Sequence, residues 1–154
     1  MFPTTVDRVP DQTRAAVNDR IRRQTEENIS RIKQSGPTAI ARRLAELDGE
    51  WDVERAIEAN AATASIIGLA LGVTVNRRWL ALPAVVGAFL LQHAVQGWCP
   101  PLPVLRRLGF RTASEIDYER YALKALRGDF ADIHPDKRDR GNKFADKALR
   151  AAEA

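Results

Sequence analysis

The chain has 154 residues, enough for one compact domain with tails, and carries 24 Lys/Arg against 20 Asp/Glu for a net charge of +4. Its acids and bases are interleaved, which excludes the single-sign surface of a nucleic-acid binder. A single cysteine excludes an intramolecular disulfide and a zinc cage of several cysteines.

Charge is segregated along the chain. Residues 1–58 hold ten Lys/Arg and eleven Asp/Glu, residues 59–105 hold only Arg77 and Arg78, and residues 106–154 hold twelve Lys/Arg and nine Asp/Glu. A water-soluble domain spreads charge over every element, because each element has a wet face. The N-terminus MFPTTVDRVPDQTR lacks the charged-then-apolar pattern of a signal peptide, so an internal segment has to carry any membrane contact.

In chain order, residues 1–10 contain two prolines and little apolar surface, and read as a disordered lead. From Asp11 to Gln34 the composition favours a helix, with Val17, Ile21, Ile29 and Ile32 as a thin stripe and charge on the other sides. Such a stripe suits a solvated arm, a coiled-coil seam or attachment to another surface. Ser35-Gly36-Pro37-Thr38 ends that helix. A short helix follows, with Ile40, Leu44 and Leu47 on one face. Asp52 is placed to cap the next helix, because its carboxylate can accept from a free backbone N–H.

Residues 59–76 are free of charge. At about 1.5 Å per residue such a helix reaches roughly 27 Å, close to the roughly 30 Å of a bilayer's hydrocarbon core. Asn76-Arg77-Arg78 interrupts, and Trp79 to Trp98 forms a second run of similar length before Pro100. The spans are placed at 58–76 and 79–98. The expected fold is all-α: a two-helix transmembrane hairpin with amphipathic helical arms on both sides, divided as 1–50, 51–112 and 113–154. A soluble bundle burying both runs is the alternative, but the flanking helices are too polar to cover them. Trp79 and Trp98 stand where the two aromatic belts of a bilayer would lie. Arg42, Arg43, Arg55, Arg106, Arg107 and Arg111 outnumber the two arginines of the turn, which puts both termini in the cytoplasm. Beyond the hairpin, Ser114 is expected to cap a helix with Ile116, Tyr118, Tyr121, Ala122, Leu123, Ala125 and Leu126 on its apolar face. The tail after Pro135 is expected to be helical only in its last part.

Gln92, His93, Gln96 and Cys99 fall on one side of the second run, with Asn60 and Thr63 at matching depth on the first. Polar groups in hydrocarbon are costly and face another helix, so these residues are expected to form one intramembrane cluster, either fixing helix packing or lining a ligand or transport path. Cys99 either packs at the boundary or is a reactive thiol favoured by Arg106 and Arg107. With one Cys and one His beside each other per chain, a metal site is incomplete, and no metal or cofactor is expected. His134 is expected to be solvated. Ala64, Gly68 and Gly72 form a small-residue face that permits close helix approach in lipid, either between two copies or against Gly87 and Ala94 of the same chain; a homodimer is the expectation. No catalytic constellation is present, so no enzymatic activity is expected.

Gly97-Trp98-Cys99-Pro100, followed by Leu108-Gly109-Phe110 and preceded by Arg55, resembles the YgaP-like transmembrane domain of bacteria over roughly residues 52–112. The resemblance implies a bacterial inner-membrane hairpin of largely undefined function, which in some members is fused to a rhodanese sulfurtransferase and dimerises. Neither arm here contains a rhodanese, and Pro100, Pro101 and Pro103 lack the N–H groups of a sulfurtransferase loop. The expected function is therefore a non-enzymatic membrane interaction module in the lipid bilayer. The alternatives are a redox or sulfur relay through Cys99 with a separate sulfurtransferase, and a small transporter subunit.

Overall fold

The computed structural model describes residues 4–131 and 142–153, and the described residues are all-α. The helices are α1 (Arg8–Asp11), α2 (Ala15–Ser35), α3 (Pro37–Gly49), α4 (Val53–Thr74), α5 (Ala81–Gln96), α6 (Leu102–Leu108), α7 (Ala113–Arg127) and α8 (Asn142–Glu153), with a 3₁₀ turn at Arg77–Leu80 before α5. They fall into two compact units. One comprises Met1–Arg23 and Trp51–Ile116, the other Gln24–Glu50 and Asp117–Ala154. These boundaries differ from breaks at 50 and 112: the first residues of the chain belong with the hairpin rather than with α3.

In the first unit, α4 and α5 pack as an antiparallel hairpin. Asp52 caps α4 as expected, its Oδ1 accepting from the Arg55 N–H at 2.7 Å. Asn76 Oδ1 accepts from the Arg78 N–H at 2.9 Å and sets the tight turn. Two helices are long and apolar enough to cross a membrane, one ending at Thr74 and one over Arg77–Gln96. In the most apolar stretch of each, only 22% and 6% is buried, so the apolar surface faces outward. A core helix of a soluble bundle would bury it.

Gly68 and Gly72 are both buried in this hairpin. A Cβ on Gly68 would lie 2.7 Å from Pro83 Cδ, and one on Gly72 would lie 2.5 Å from Leu80 Cδ2. The small-residue face is thus occupied within the chain, by Leu80, Leu82 and Pro83 rather than by Gly87 and Ala94. Nothing stands within 4 Å of a Cβ on Gly87, and Ala94 is exposed. Gly68→Leu is expected to cost about 1–3 kcal/mol through overpacking, whereas Gly87→Leu should cost nothing measurable. Thermal unfolding followed by circular dichroism separates the two, and equal midpoints would contradict the packing.

The open end of the hairpin carries a small apolar core. Val9, Val53, Ala56, Ile57, Cys99, Leu102 and Leu105 are buried together, with Leu90 and Phe110 against them. Two expectations change here. The lead is ordered at α1, because Val9, 1% exposed, fills this core. The second apolar helix stops at Gln96, where Gly97 takes the left-handed conformation (φ 81°) and closes it. That conformation costs glycine no Cβ clash. Trp98 is therefore outside the helix and folds onto Phe89, ring centroids 6.5 Å apart. Beyond it, Pro101 stands at the N-cap of a further helix, α6.

Thr112, not Ser114, caps α7. Thr112 Oγ1 accepts from the Glu115 N–H at 3.2 Å while Glu115 Oε2 accepts from the Thr112 N–H at 2.8 Å, a reciprocal capping box. Glu115 also receives Arg106, which is 1% exposed, through paired contacts of 2.6 and 2.7 Å. Arg106 further donates to Asn18 Oδ1 and the Phe110 carbonyl.

In the second unit, α3 buries Ile40, Leu44 and Leu47 as its spacing predicts. The thin stripe of α2 is not a solvated face: Ile32 is buried and Ile29 half-buried, and within the first unit Ile21 is buried and Val17 half-buried. The buried side of α7 includes Leu123, Glu119 and Lys124, whereas Tyr118, Tyr121 and Leu126 are exposed. Glu119 is fully buried and receives Arg43 Nε at 2.8 Å and Nη2 at 3.1 Å. That pairing with Glu119 raises the Arg43 pKa. Lys124 Nζ donates to the Ala152 carbonyl of α8 at 2.6 Å. His134 and the start of the tail lie outside the described residues.

Candidate functional site

The residues with chemistry gather at the open end of the hairpin, around His93. Three elements of the first unit supply them: α1 brings Arg8, the first turn of α4 brings Glu54, and α5 with the chain beyond it brings His93 and Cys99. Glu54 bridges Arg8 and His93. Its Oε1 accepts from Arg8 Nη2 at 2.9 Å, and its Oε2 lies 2.8 Å from His93 Nε2. Arg8 Nη1 also donates to the Ala94 carbonyl at 3.1 Å, satisfying one of the carbonyls left open at the end of α5.

His93 is 5% exposed and Cys99 is 2% exposed. The other nitrogen of the His93 ring, Nδ1, is buried without a hydrogen-bond partner. With a carboxylate accepting at Nε2, the neutral ring carries its proton there, which leaves Nδ1 as a free lone pair. Glu54 thus orients the His93 ring through Nε2.

Beside Cys99 lies an apolar groove between α4 and α5, with a volume of about 420 Å³. Ile57, Ala61, Ala64, Phe89 and Leu90 line it together with Cys99.

The intramembrane cluster expected from spacing is only partly assembled. His93 is central, but Asn60 and Thr63 hydrogen-bond within their own helix, to the carbonyls of Ala56 and Ala59 at 2.7 and 2.8 Å. Gln96 is exposed and Gln92 half-buried. The cations near Cys99 also differ from expectation. Arg106 is committed to Glu115, and the charged groups next to His93 are Glu54 and Arg8. Helix periodicity offered no signal for Glu54, which reads as an ordinary acid in a first turn. Arg8 sits in a segment that read as disordered. Among the described residues, no group of three or more His, Cys, Asp or Glu is placed to hold a metal ion.

Comparison with known proteins finds no matching family model, no matching curated protein and no matching solved structure.

Proposed function

We propose that this protein is a two-helix bilayer anchor that holds folded helical arms at the membrane surface as an interaction scaffold. The observation behind this reading is the outward apolar surface of the hairpin. Ile66, Val73 and Leu91 are 66%, 83% and 67% exposed, with Ile67, Leu69 and Val85 at 50% each. So much contiguous apolar surface in water would drive aggregation, whereas lipid covers it without cost. The short turn returns α5 to the side from which α4 starts, so the rest of the chain lies on one side of the bilayer. The arginine bias makes that side the cytoplasm. Self-association in this reading uses the outward faces of the hairpin, since the Gly68/Gly72 face is filled from within. The kinship with YgaP-like inner-membrane domains is part of the same proposal and rests on Gly97-Trp98-Cys99-Pro100.

The test is membrane fractionation after an alkaline carbonate wash. The chain is expected in the pellet and to be released only by detergent. Recovery in the carbonate supernatant would refute the anchor.

A further inference from the structure

We infer that the cleft between α2 and α3 is a binding site for a phosphate-bearing anion, held by Arg31 on one wall and Arg42 on the other. The cleft lies wholly within the second unit, so the inference goes beyond the bilayer anchor and does not depend on it. Its volume is about 400 Å³, inside the roughly 300–1,000 Å³ of small-molecule sites.

Helical spacing builds the cleft. Asn28, Arg31, Ile32 and Ser35 fall at i, i+3, i+4 and i+7 on α2, and Ala39, Arg42, Arg43 and Glu46 repeat that spacing on α3. Each helix therefore turns one stripe to the same hollow. The charges in that hollow are not balanced. Arg43 is committed elsewhere, since the fully buried Glu119 accepts from its Nε and Nη2. Glu46 is the one acid of the lining. Its Oε2 accepts from Arg43 Nη1 at 3.2 Å, while its Oε1 lies 3.9 Å from Arg42 Nε, beyond hydrogen-bond reach. Arg31 Nη2 donates to the neutral Asn28 Oδ1 at 2.8 Å. Among the described residues Arg31 has no ion pair, not even with Glu27 one turn earlier on α2. Two guanidinium groups thus line one hollow without a close countercharge.

Like charges on two walls repel, and an anion between them removes the repulsion. Each guanidinium presents a planar fork of N–H donors. A carboxylate has two oxygens and is filled by one such fork. A phosphate group has enough acceptor oxygens to take forks from both walls at once. The Asn28 amide, whose oxygen already accepts from Arg31, adds a neutral N–H donor. Buried Ile32 and half-buried Ala39 give the hollow an apolar part, which suits the alcohol portion of a phosphate ester. A free phosphate ester and a lipid headgroup present the same oxygens, so the phosphate defines the site and the two sources are separated by experiment.

The full chain in nonionic-detergent micelles is titrated with glycerol 3-phosphate by calorimetry, at about 0.15 M chloride to screen diffuse attraction. Saturable binding at one site is expected. Arg31→Gln and Arg42→Gln should each weaken it about 10-fold, the value of one hydrogen bond to a charged group. Both side chains are exposed, so the fold should survive, which circular dichroism checks. Lys33→Gln removes the same charge from an exposed position on α2 outside the cleft and should leave binding unchanged. Acetate should bind about 10-fold more weakly than the phosphate ester or worse. In a second arm, phosphatidylglycerol is added to the micelles and its ³¹P line width is followed. Binding of the soluble ester assigns a free phosphate compound. Line broadening by the parent but not by Arg31→Gln, without binding of the soluble ester, assigns a lipid headgroup. Either result supports the site. No binding in either arm that depends on Arg31 and Arg42, equal weakening by Lys33→Gln, or acetate held as tightly as phosphate would overturn it. The carbonate fractionation reads the hairpin and this titration reads α2 and α3, so neither outcome decides the other.

Discussion

Glu115→Leu is expected to lower the stability of the protein by about 3 kcal/mol, the low end of the range for breaking a buried ion pair. Arg106 is 1% exposed and Glu115 24% exposed at the side chain. Removing the carboxylate leaves the guanidinium with only Asn18 Oδ1 and the Phe110 carbonyl as acceptors, and its Nε already has no hydrogen-bond partner. An uncompensated buried charge, rather than the lost attraction alone, sets the size of the effect. The double variant Arg106→Met/Glu115→Leu removes both charges and should recover most of the loss. Chemical denaturation of the parent, the two single variants and the double variant measures this coupling. A double variant as unstable as the sum of the singles would show that the two side chains act independently.

The same pair gives a pH dependence. Burial pushes the Glu115 carboxyl upward, but hydrogen bonds from Arg106 and from the Thr112 N–H outweigh it and hold the group below its ordinary value of 4.5. A carboxyl whose folded pKa is depressed binds fewer protons when folded than when unfolded. Its stabilisation is present above the ordinary value and is lost as pH falls through the lowered one. The parent should therefore lose stability on acidification below about pH 4.5 more steeply than Glu115→Leu.

Gly97→Ala is expected to cost about 2–5 kcal/mol, the sum of about 1–2 for a left-handed residue with a Cβ and about 1–3 for overpacking. A Cβ at Gly97 would sit 2.1 Å from the Arg8 carbonyl oxygen and 2.5 Å from its carbon. Both are backbone atoms, so no rotamer change relieves the contact, and α1 has to move. Gly109 is the matched control. It has φ 97° but nothing within 4 Å of its Cβ position, so Gly109→Ala should show the backbone cost alone. Displacing α1 withdraws Arg8 and Val9 from the Cys99 environment. Alkylation of Cys99 by a maleimide should accelerate in Gly97→Ala and stay slow in Gly109→Ala. Equal alkylation rates in the two variants would mean that the close approach of Arg8 does not shield the thiol.

The parts of the fold that local chemistry determines were legible. Gly36-Pro37 broke a helix, Asp52 began one, Asn76 turned the hairpin, and Ile40, Leu44 and Leu47 faced one way. Each of these depends on residues within one or two turns of each other. What was not legible depends on partners far apart. Glu54 and His93 are 39 positions apart, and nothing in either neighbourhood announces the other. Arg106 looked like a flanking charge at a membrane boundary because its burial depends on Glu115 and Asn18, one of them 88 positions away. Spacing put Asn60 and Thr63 at the depth of His93, but a side chain that can reach the carbonyl one turn back need not seek a partner across the helix interface. Gly97 was readable as a helix end only in retrospect, since Trp98 and Cys99 continued the apolar run past it.

The contacts of Arg8 also impose an order on biosynthesis. Its two hydrogen-bonding partners lie 46 and 86 positions downstream, and the wall of Gly97 on which its backbone rests comes later still. A chain emerging from the ribosome at roughly 5–20 residues per second exposes α1 for several seconds before any of these surfaces exists. α1 is therefore made well before the surfaces it rests on, and it docks only after both apolar helices have been made and turned back on each other. α1 thus works as a clasp, closing over the finished hairpin with Val9 packed in the core that buries Cys99.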